Sequence, residues 1–277
     1  MVSGLEAAGH RVIAFTRAAP AATHGATIWR RLPSDGFYRD ADPLPFWISL
    51  APIWTLPEHF EFLAASGARR FVALSSTSRF TKDVSSDPAE RALAARLAAG
   101  EDRLRDWAAA HGIEAAILRP TLIYGLGRDR NICAIARLIR SIGFFPLVGG
   151  GSGLRQPVHA RDVAAACIAA LTAPATAGRS YELSGGETIT YREMVRRVFV
   201  ALDRPARFAA VPLAAARAAV RMARLIPVCR HLTAGMIERM TQDLVFDHRA
   251  ATRDIGFAPG PFCIAPEDLP PLDREDE

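Results

Sequence analysis

Three uninterrupted apolar runs constrain this chain most: PFWISL at 45–50, RFVALS at 70–75 and AAILRP at 115–120. A strand with one solvated face alternates apolar and polar residues, whereas an unbroken apolar strand is covered on both faces. LPEHFEFLAASGARR, between the first two runs, reads as a helix stopped by Gly67. DPAERALAARLAAGEDRLRDWAAAHG, between the second and third, is the clearest helix. Asp87 caps it, Pro88 suits its first turn, Glu90 completes a capping box and Gly112 ends it. Strand, helix, strand, helix, strand with covered strands predicts a doubly wound α/β fold: a parallel sheet between helices, with ligands beyond the carboxyl ends of the strands.

The flanking stretches extend the pattern. VSGLEAAGH reads as the back half of a helix, followed by a short strand from Arg11 to Phe15. Residues 18–44 are polar and proline-containing, a loop with a short strand around Thr27 to Arg31. In the second half HARDVAAACIAALTAP is a helix and RSYELSG a strand. TYREMVRRVFVAL is a helix opened by a Thr190–Glu193 capping box, and DHRAATRDIGF a late helix ending at Gly256.

Half of the 277 residues are hydrophobic, enough for a sizeable core. The net charge of +5 is spread over scattered arginines without interleaved aromatics, so solvated helix faces account for it and no nucleic-acid partner is expected. Lys82 is the only lysine in the chain. Cys133, Cys167, Cys229 and Cys263 are widely separated with no Cys-x-x-Cys, which argues against a disulfide framework or a metal site and fits a reducing cytoplasm. No stretch reads as a signal peptide or membrane span. The most apolar window, VPLAAARAAVRMARLIPVC, carries Arg217, Arg221 and Arg224 at helical spacing and reads as an amphipathic surface helix facing a partner, in keeping with a homodimer.

Five stretches, AAGHRVIAFTR, GARRFVALSSTS, ILRPTLIYGLG, LRQPVHARDVAAA and YELSGGETITYREM, together resemble the extended short-chain dehydrogenase/reductase superfamily, in particular its NAD(P)-dependent nucleotide-sugar epimerases and dehydratases. The resemblance implies a Rossmann-like cofactor domain over 1–150 and a smaller α/β substrate lobe with interleaved elements over 151–268; the residues DREDE mark 269–277 as an acidic tail. It also implies a first strand and a Gly-x-x-Gly-x-x-Gly turn ahead of LEAAGH, neither of which this chain contains. A shortened gene start, or a domain that has lost its phosphate cradle, accounts for that. GGGSG at 149–153 precedes no helix and is expected to be a flexible loop near the substrate.

By the same resemblance Thr16 and Arg17 stand where NAD-using members place an acidic residue. Their chemistry suits a 2′-phosphate and makes NADP the expected cofactor, with NAD the alternative. An exposed surface arginine is the competing reading of Arg17. Leu50, Ala51 and Pro52 fall beside the adenosine. In the hydroxyl cluster SSTS, Ser75 is a cofactor contact and Thr77 matches the active-site hydroxyl, with Ser76 second; a strand-end cap is the structural alternative. Pro120, Thr121 and Ile123 face the nicotinamide, Tyr124 and Asn131 face the substrate, and Arg155 matches a diphosphate-binding position. Arg119 and His159 are expected to be structural.

The superfamily's Tyr-x-x-x-Lys puts a phenol and its activating lysine on one helix face. Aligned on Glu101, the two positions are Leu93 and Leu97. No other tyrosine restores the motif, because Asp42, Arg128, Gly185 and Val195 lie four residues after Tyr38, Tyr124, Tyr181 and Tyr191. Lys82 and Tyr124 are the remaining candidates for acid or base, and Arg96 is too strongly protonated to accept a proton. The expectation is an oxidoreductase or epimerase-like protein acting on a nucleotide sugar or a similar hydroxy or keto compound. The alternative is a non-catalytic NADP(H)-binding sensor or assembly protein.

Overall fold

The computed structural model describes residues 1–17, 26–33, 42–212, 214, 235 and 239–271. The amphipathic window around Arg217 to Arg224, Cys229 and the tail beyond residue 271 lie outside the described residues. Four strands, β3 (Phe46–Ser49), β4 (Arg70–Leu74), β5 (Glu114–Pro120) and β10 (Ser180–Leu183), form one parallel sheet in the order β10-β5-β4-β3. β1 (Ile13–Thr16) and β2 (Ile28–Arg31) form a second parallel pair. Among the described residues no ladder joins β1 to β3.

Two of the three apolar runs, those of β4 and β5, are covered on both faces as expected; the third, β3, ends the sheet and is less covered, with Phe46 57% exposed. Successive side chains of a strand point to opposite faces. Phe71 and Ala73 of β4, with Ala115 and Ile117 of β5, pack beneath α4 (Pro88–Ala110), α2 (Phe60–Ala65) and the 3-10 turn Ile53–His59. Val72, Ala116 and Leu118 face the other way, onto Val163, Ala166, Cys167 and Ala170 of α6 (Ala160–Thr172). Two helical layers therefore sandwich the sheet. Both β10 and α6 come from beyond residue 150 and complete this core. Six-residue α1 (Val2–Ala7) lies against α6, where a Cβ on Gly4 would meet the Ile168 side chain at 3.0 Å.

A third cluster holds α5 (Ile132–Ile142) against α7 (Tyr191–Ala201) and collects Tyr124, Phe145 and Phe262. Around it lie three two-stranded pairs. β6 (Ile123–Tyr124) runs with β9 (Val158–His159), β7 (Phe145–Val148) with β12 (Phe208–Val211), and β8 (Leu154–Arg155) antiparallel to β11 (Ile189–Thr190). The late helix α8 (Arg249–Ile255) ends at Gly256, whose φ of 66° suits a residue without Cβ.

Three local expectations are corrected. Asp87 caps α4 through the Ala89 N–H, but Glu90 does not close the box: the Asp87 N–H goes to Ser85 Oγ, and Glu90 turns to Ser85 and Arg239. Thr190 accepts the Glu193 N–H, while the Glu193 carboxylate is drawn to Arg196 and Arg197. Nor is GGGSG a loose loop. Gly149–Gly151 form a tight turn at positive φ, and a Cβ on Gly153 would strike the Gln242 carbonyl at 2.4 Å.

Candidate active site

The carboxyl ends of β4 and β5 are tied together beyond the sheet. Ser75 N–H donates to the Leu118 carbonyl at 2.8 Å and Thr77 N–H to the Pro120 carbonyl at 3.1 Å. Thr77 Oγ1 also donates to Pro120 O, at a long 3.3 Å. Pro120 has no N–H to offer, and its carbonyl is the group that joins this strand end to the neighbouring chain. The hydroxyl cluster and the Arg-Pro bend thus meet. Thr77, 6% exposed, opens the single turn α3 (Ser78–Thr81). Its proton is directed to Pro120 O, which leaves its two lone pairs as acceptors for an incoming hydroxyl. Ser76 Oγ accepts the Ser78 N–H at 3.1 Å, the capping role foreseen as the structural alternative. Thr121 is held by Leu183 O through its N–H and by Gln156 O at 2.5 Å through its hydroxyl.

Behind this bend sits a carboxylate that sequence reasoning used only as an alignment mark. Glu101, fully buried on α4, accepts Arg119 Nε at 3.0 Å and Nη2 at 2.6 Å, Arg79 at 2.6 Å, Arg105 at 3.0 Å and Ser75 Oγ at 2.6 Å. Burial works against its charge. Hydrogen bonds from Arg119 and Ser75, with the charges of Arg119 and Arg79, nonetheless hold its carboxyl below the ordinary value. Arg119 also reaches Glu182 at 3.0 Å and lies over the Phe80 ring. Arg119 is structural, as expected, and Ser75 spends its hydroxyl on the same hub. The i, i+4 pair Glu101–Arg105 was the one sequence signal for it.

The other candidates divide by how firmly they are held. Lys82 Nζ stands 4.0 Å from Glu90. Burial lowers its pKa from the ordinary value and the Arg239 charge adds to that, with Glu90 and Asp87 opposing. The Tyr124 hydroxyl is locked between the Cys263 carbonyl at 3.1 Å and N–H at 3.2 Å, and burial raises its pKa. Asn131 is exposed at the head of α5, while Asp129 does the capping there by accepting the Asn131 and Ile132 N–H groups. Arg155 is 5% exposed. Its guanidinium lies over the Tyr191 ring and donates to the carbonyls of Leu154, Gln242 and Arg239, and burial pushes its pKa down to about 10. His159 bonds Asp268 at 3.1 Å, and Ile123 runs in β6 beside Val158.

Thr16, Arg17, Leu50 and Ala51 come together at one end of a cleft of about 600 Å³ between β1 and β3. Arg17 and Pro52 are exposed, as is Leu50 at 56%. Ser75, Thr77 and Pro120 do not line this cleft. Strand-end residues from the adenosine-side and nicotinamide-side expectations therefore form two separate groups, the first at the cleft and the second where β4 and β5 end. Among the described residues no cluster of His, Cys, Asp or Glu could hold a metal ion, and no helix is long and apolar enough to cross a membrane.

Residues 59–184 match the NAD dependent epimerase/dehydratase family. The fold aligns with Thermotoga maritima UDP-glucose 4-epimerase at a TM-score of 0.66 and 14% identity, over 93% of this chain and 88% of that one. That match covers a little under half of the chain, and the fold as a whole is similar to that of such an epimerase. Among curated relatives, (4-alkanoyl-5-oxo-2,5-dihydrofuran-3-yl)methyl phosphate reductase of Streptomyces griseus is 34% identical over 59% of this chain and 52% of its own length. Subunit 9 of the NADH dehydrogenase [ubiquinone] 1 alpha subcomplex of Arabidopsis thaliana is 35% identical over 38% of this chain and 26% of its own. The chain spans about half the length, or less, of these relatives. Of the two residues that the resemblance aligns with the tyrosine and the lysine, Leu93 is partly buried and Leu97 is 4% exposed. Both pack into the cluster with Ile53 and Leu56.

Proposed function

We propose that this chain is the nucleotide-binding part of an NADP-preferring oxidoreductase or epimerase-like protein acting on a small hydroxy or keto compound, a nucleotide sugar or a molecule like it. The observation that carries the reading is the junction of Thr77 with the Pro120 carbonyl at the carboxyl edge of a parallel sheet, where such folds take their ligands. The residues present fit the two ends of a dinucleotide. Arg17 and Thr16 would meet a 2′-phosphate, Leu50 to Pro52 the adenosine, and Pro120, Thr121 and Ile123 the nicotinamide. A bound nicotinamide supplies or accepts the hydride. Thr77 positions the reacting oxygen by accepting its hydrogen bond. Lys82 is the proton carrier in this reading: burial lowers its pKa from the ordinary value, while the Tyr124 phenol is raised and locked. Asn131 meets the substrate from the head of α5, and Arg155 braces β8 behind it. A cytoplasmic homodimer completes the proposal.

A second reading, a cofactor-binding sensor or assembly protein without turnover, is favoured by one observation: the two positions that the resemblance gives the dyad hold leucines, Leu97 in the core and Leu93 packed against it. Fluorescence titration with NADPH and NADH, repeated on Arg17→Glu and Thr77→Val, decides between them. The enzyme reading expects NADPH to bind about tenfold tighter than NADH, a preference lost in Arg17→Glu, and turnover of candidate keto sugars lost in Thr77→Val with binding kept. Tight NADPH binding without turnover selects the second reading. Binding of neither nucleotide refutes both.

A further inference from the structure

We propose that Asp268 is a positioning residue of the candidate site: from the segment 262–271, which straps the loop after β6, its carboxylate fixes the backbone of Gly125, Leu126 and Gly127, and with it the place of Asn131 at the head of α5. The inference rests on the proposed function, which puts Asn131 against the substrate. The loop itself calls for such a device. Gly125, Leu126 and Gly127 all stand at positive φ, 115°, 60° and 62°. Glycine takes this region freely, whereas the Cβ of a leucine there crowds the following carbonyl. The Leu126 side chain is exposed and offers little packing to hold it so. A residue of this kind persists only where its surroundings over-determine it, and such residues gather at ligand sites and switches.

The strap supplies those surroundings. Asp268 Oδ1 accepts the Leu126 N–H at 2.9 Å and lies 3.1 Å from His159 Nε2, and Oδ2 accepts the Ala265 N–H at 3.0 Å. The acid is 3% exposed. Burial works against its charge, and the Leu126 and Ala265 N–H groups with His159 nonetheless hold its carboxyl below the ordinary value. Gly125 and Gly127 make the approach possible. A Cβ on the first would stand 2.5 Å from His159 Nε2 and 3.2 Å from Asp268 Oδ1, and one on the second 2.5 Å from the Leu269 carbonyl oxygen.

The strap is fastened on either side of Asp268. The Phe262 carbonyl accepts Arg197 Nη1 at 2.7 Å, Cys263 brackets the Tyr124 hydroxyl, and the Pro270 carbonyl accepts Arg140 Nη1 at 2.8 Å. Arg140 belongs to α5. The strap thus grips the loop before Asn131 and the helix after it, and Asn131 stands between the two grips. A buried charge is a costly way to cover a loop, which an apolar contact would do. It is a directional way to set one N–H, and a site needs that where small displacements of its contacts lower the rate.

The test compares Asp268→Asn and Asp268→Ala with the natural chain. Asparagine keeps an oxygen for the Leu126 N–H and gives up the Ala265 bond, whereas alanine gives up both, so the pair separates positioning from stability. Tm, amide exchange at Leu126, and calorimetric titrations of NADPH and of UDP-glucose are measured on all three. Both variants are expected to lower Tm. Only Asp268→Ala is expected to speed exchange at Leu126, by about 100-fold, and to weaken UDP-glucose, by about tenfold, with NADPH affinity kept within about twofold. If Asp268→Ala does not fold, Asp268→Glu takes its place with the same expectations, because it moves the carboxylate by a methylene. UDP-glucose affinity that follows Tm through both variants, or that Asp268→Ala leaves unchanged, makes Asp268 a merely structural acid and overturns the inference alone. A natural chain that takes up no UDP-glucose defeats the nucleotide-sugar reading of the site and the positioning role with it.

Discussion

Replacing Glu101 with glutamine removes the one negative charge at the centre of three guanidinium groups. The side chain is fully buried, and Arg119, its bidentate partner, is only 10% exposed. Removing one partner of a buried pair costs about 3–5 kcal/mol, because the other is left uncompensated. Two features move this case to the lower end. Arg79 and Arg105, 23% and 36% exposed, can turn towards water, and Arg119 keeps Glu182 at 3.0 Å. Glu101→Gln is therefore expected to lose about 3 kcal/mol, or about 6–10 °C in Tm for a chain of this size. Urea unfolding followed by circular dichroism measures it. In a double-mutant cycle with Arg119→Met the double variant should cost at least about 1 kcal/mol less than the sum of the singles. The pH dependence has a fixed sign. A carboxyl held below its ordinary value of 4.5 contributes fully above that pH and loses its contribution as pH falls through the depressed value. The gap between natural chain and variant should thus stay constant above pH 4.5 and close in acid. A loss under about 0.5 kcal/mol, or strict additivity with Arg119→Met, would refute the view that this hub holds α4 to the strand ends.

Three further outcomes are expected. Lys82 carries the only ε-amine in the chain, so its titration can be followed by the pH dependence of acetylation, read as a single modified peptide by mass spectrometry. The midpoint should fall below 10.5, lower still in Glu90→Gln and higher in Arg239→Met, and a midpoint at or above 10.5 would remove Lys82 as proton carrier. Gly125→Ala places a Cβ 2.5 Å from His159 Nε2 at a φ of +115°, and should destabilise by about 2–4 kcal/mol in thermal unfolding. Tyr124→Phe should cost about 1–2 kcal/mol through the lost Cys263 contacts while leaving NADPH titration unchanged; loss of turnover without loss of stability would instead make Tyr124 the acid.

The layers of the fold were legible because a strand between two helical layers must be mainly apolar on both faces, as the central residues of RFVALS and AAILRP are; PFWISL reads the same way but lies at the end of its sheet, with Phe46 57% exposed. The join of Thr77 to Pro120 was also within reach, since both stand at the ends of neighbouring strands. What escaped were contacts between residues far apart in the chain. Glu90 is three residues past a cap and fits a capping box on local grounds; Arg239, distant in sequence, takes it away. Arg155 has the chemistry of a phosphate ligand, but three backbone carbonyls from two segments surround it. The convergence on Glu101 needed α3, α4 and β5 in one place, and no spacing in the sequence announces that.

Leu93 and Leu97 carry a further consequence. A phenol and an ammonium at these two sites would each enter a space now filled by aliphatic bulk, against a turn shaped to it. Either substitution made singly would weaken the molecule before the pair could deliver any chemistry. A phenol and an ammonium could thus stand here only if the cluster around Ile53 and Leu56 were repacked with them.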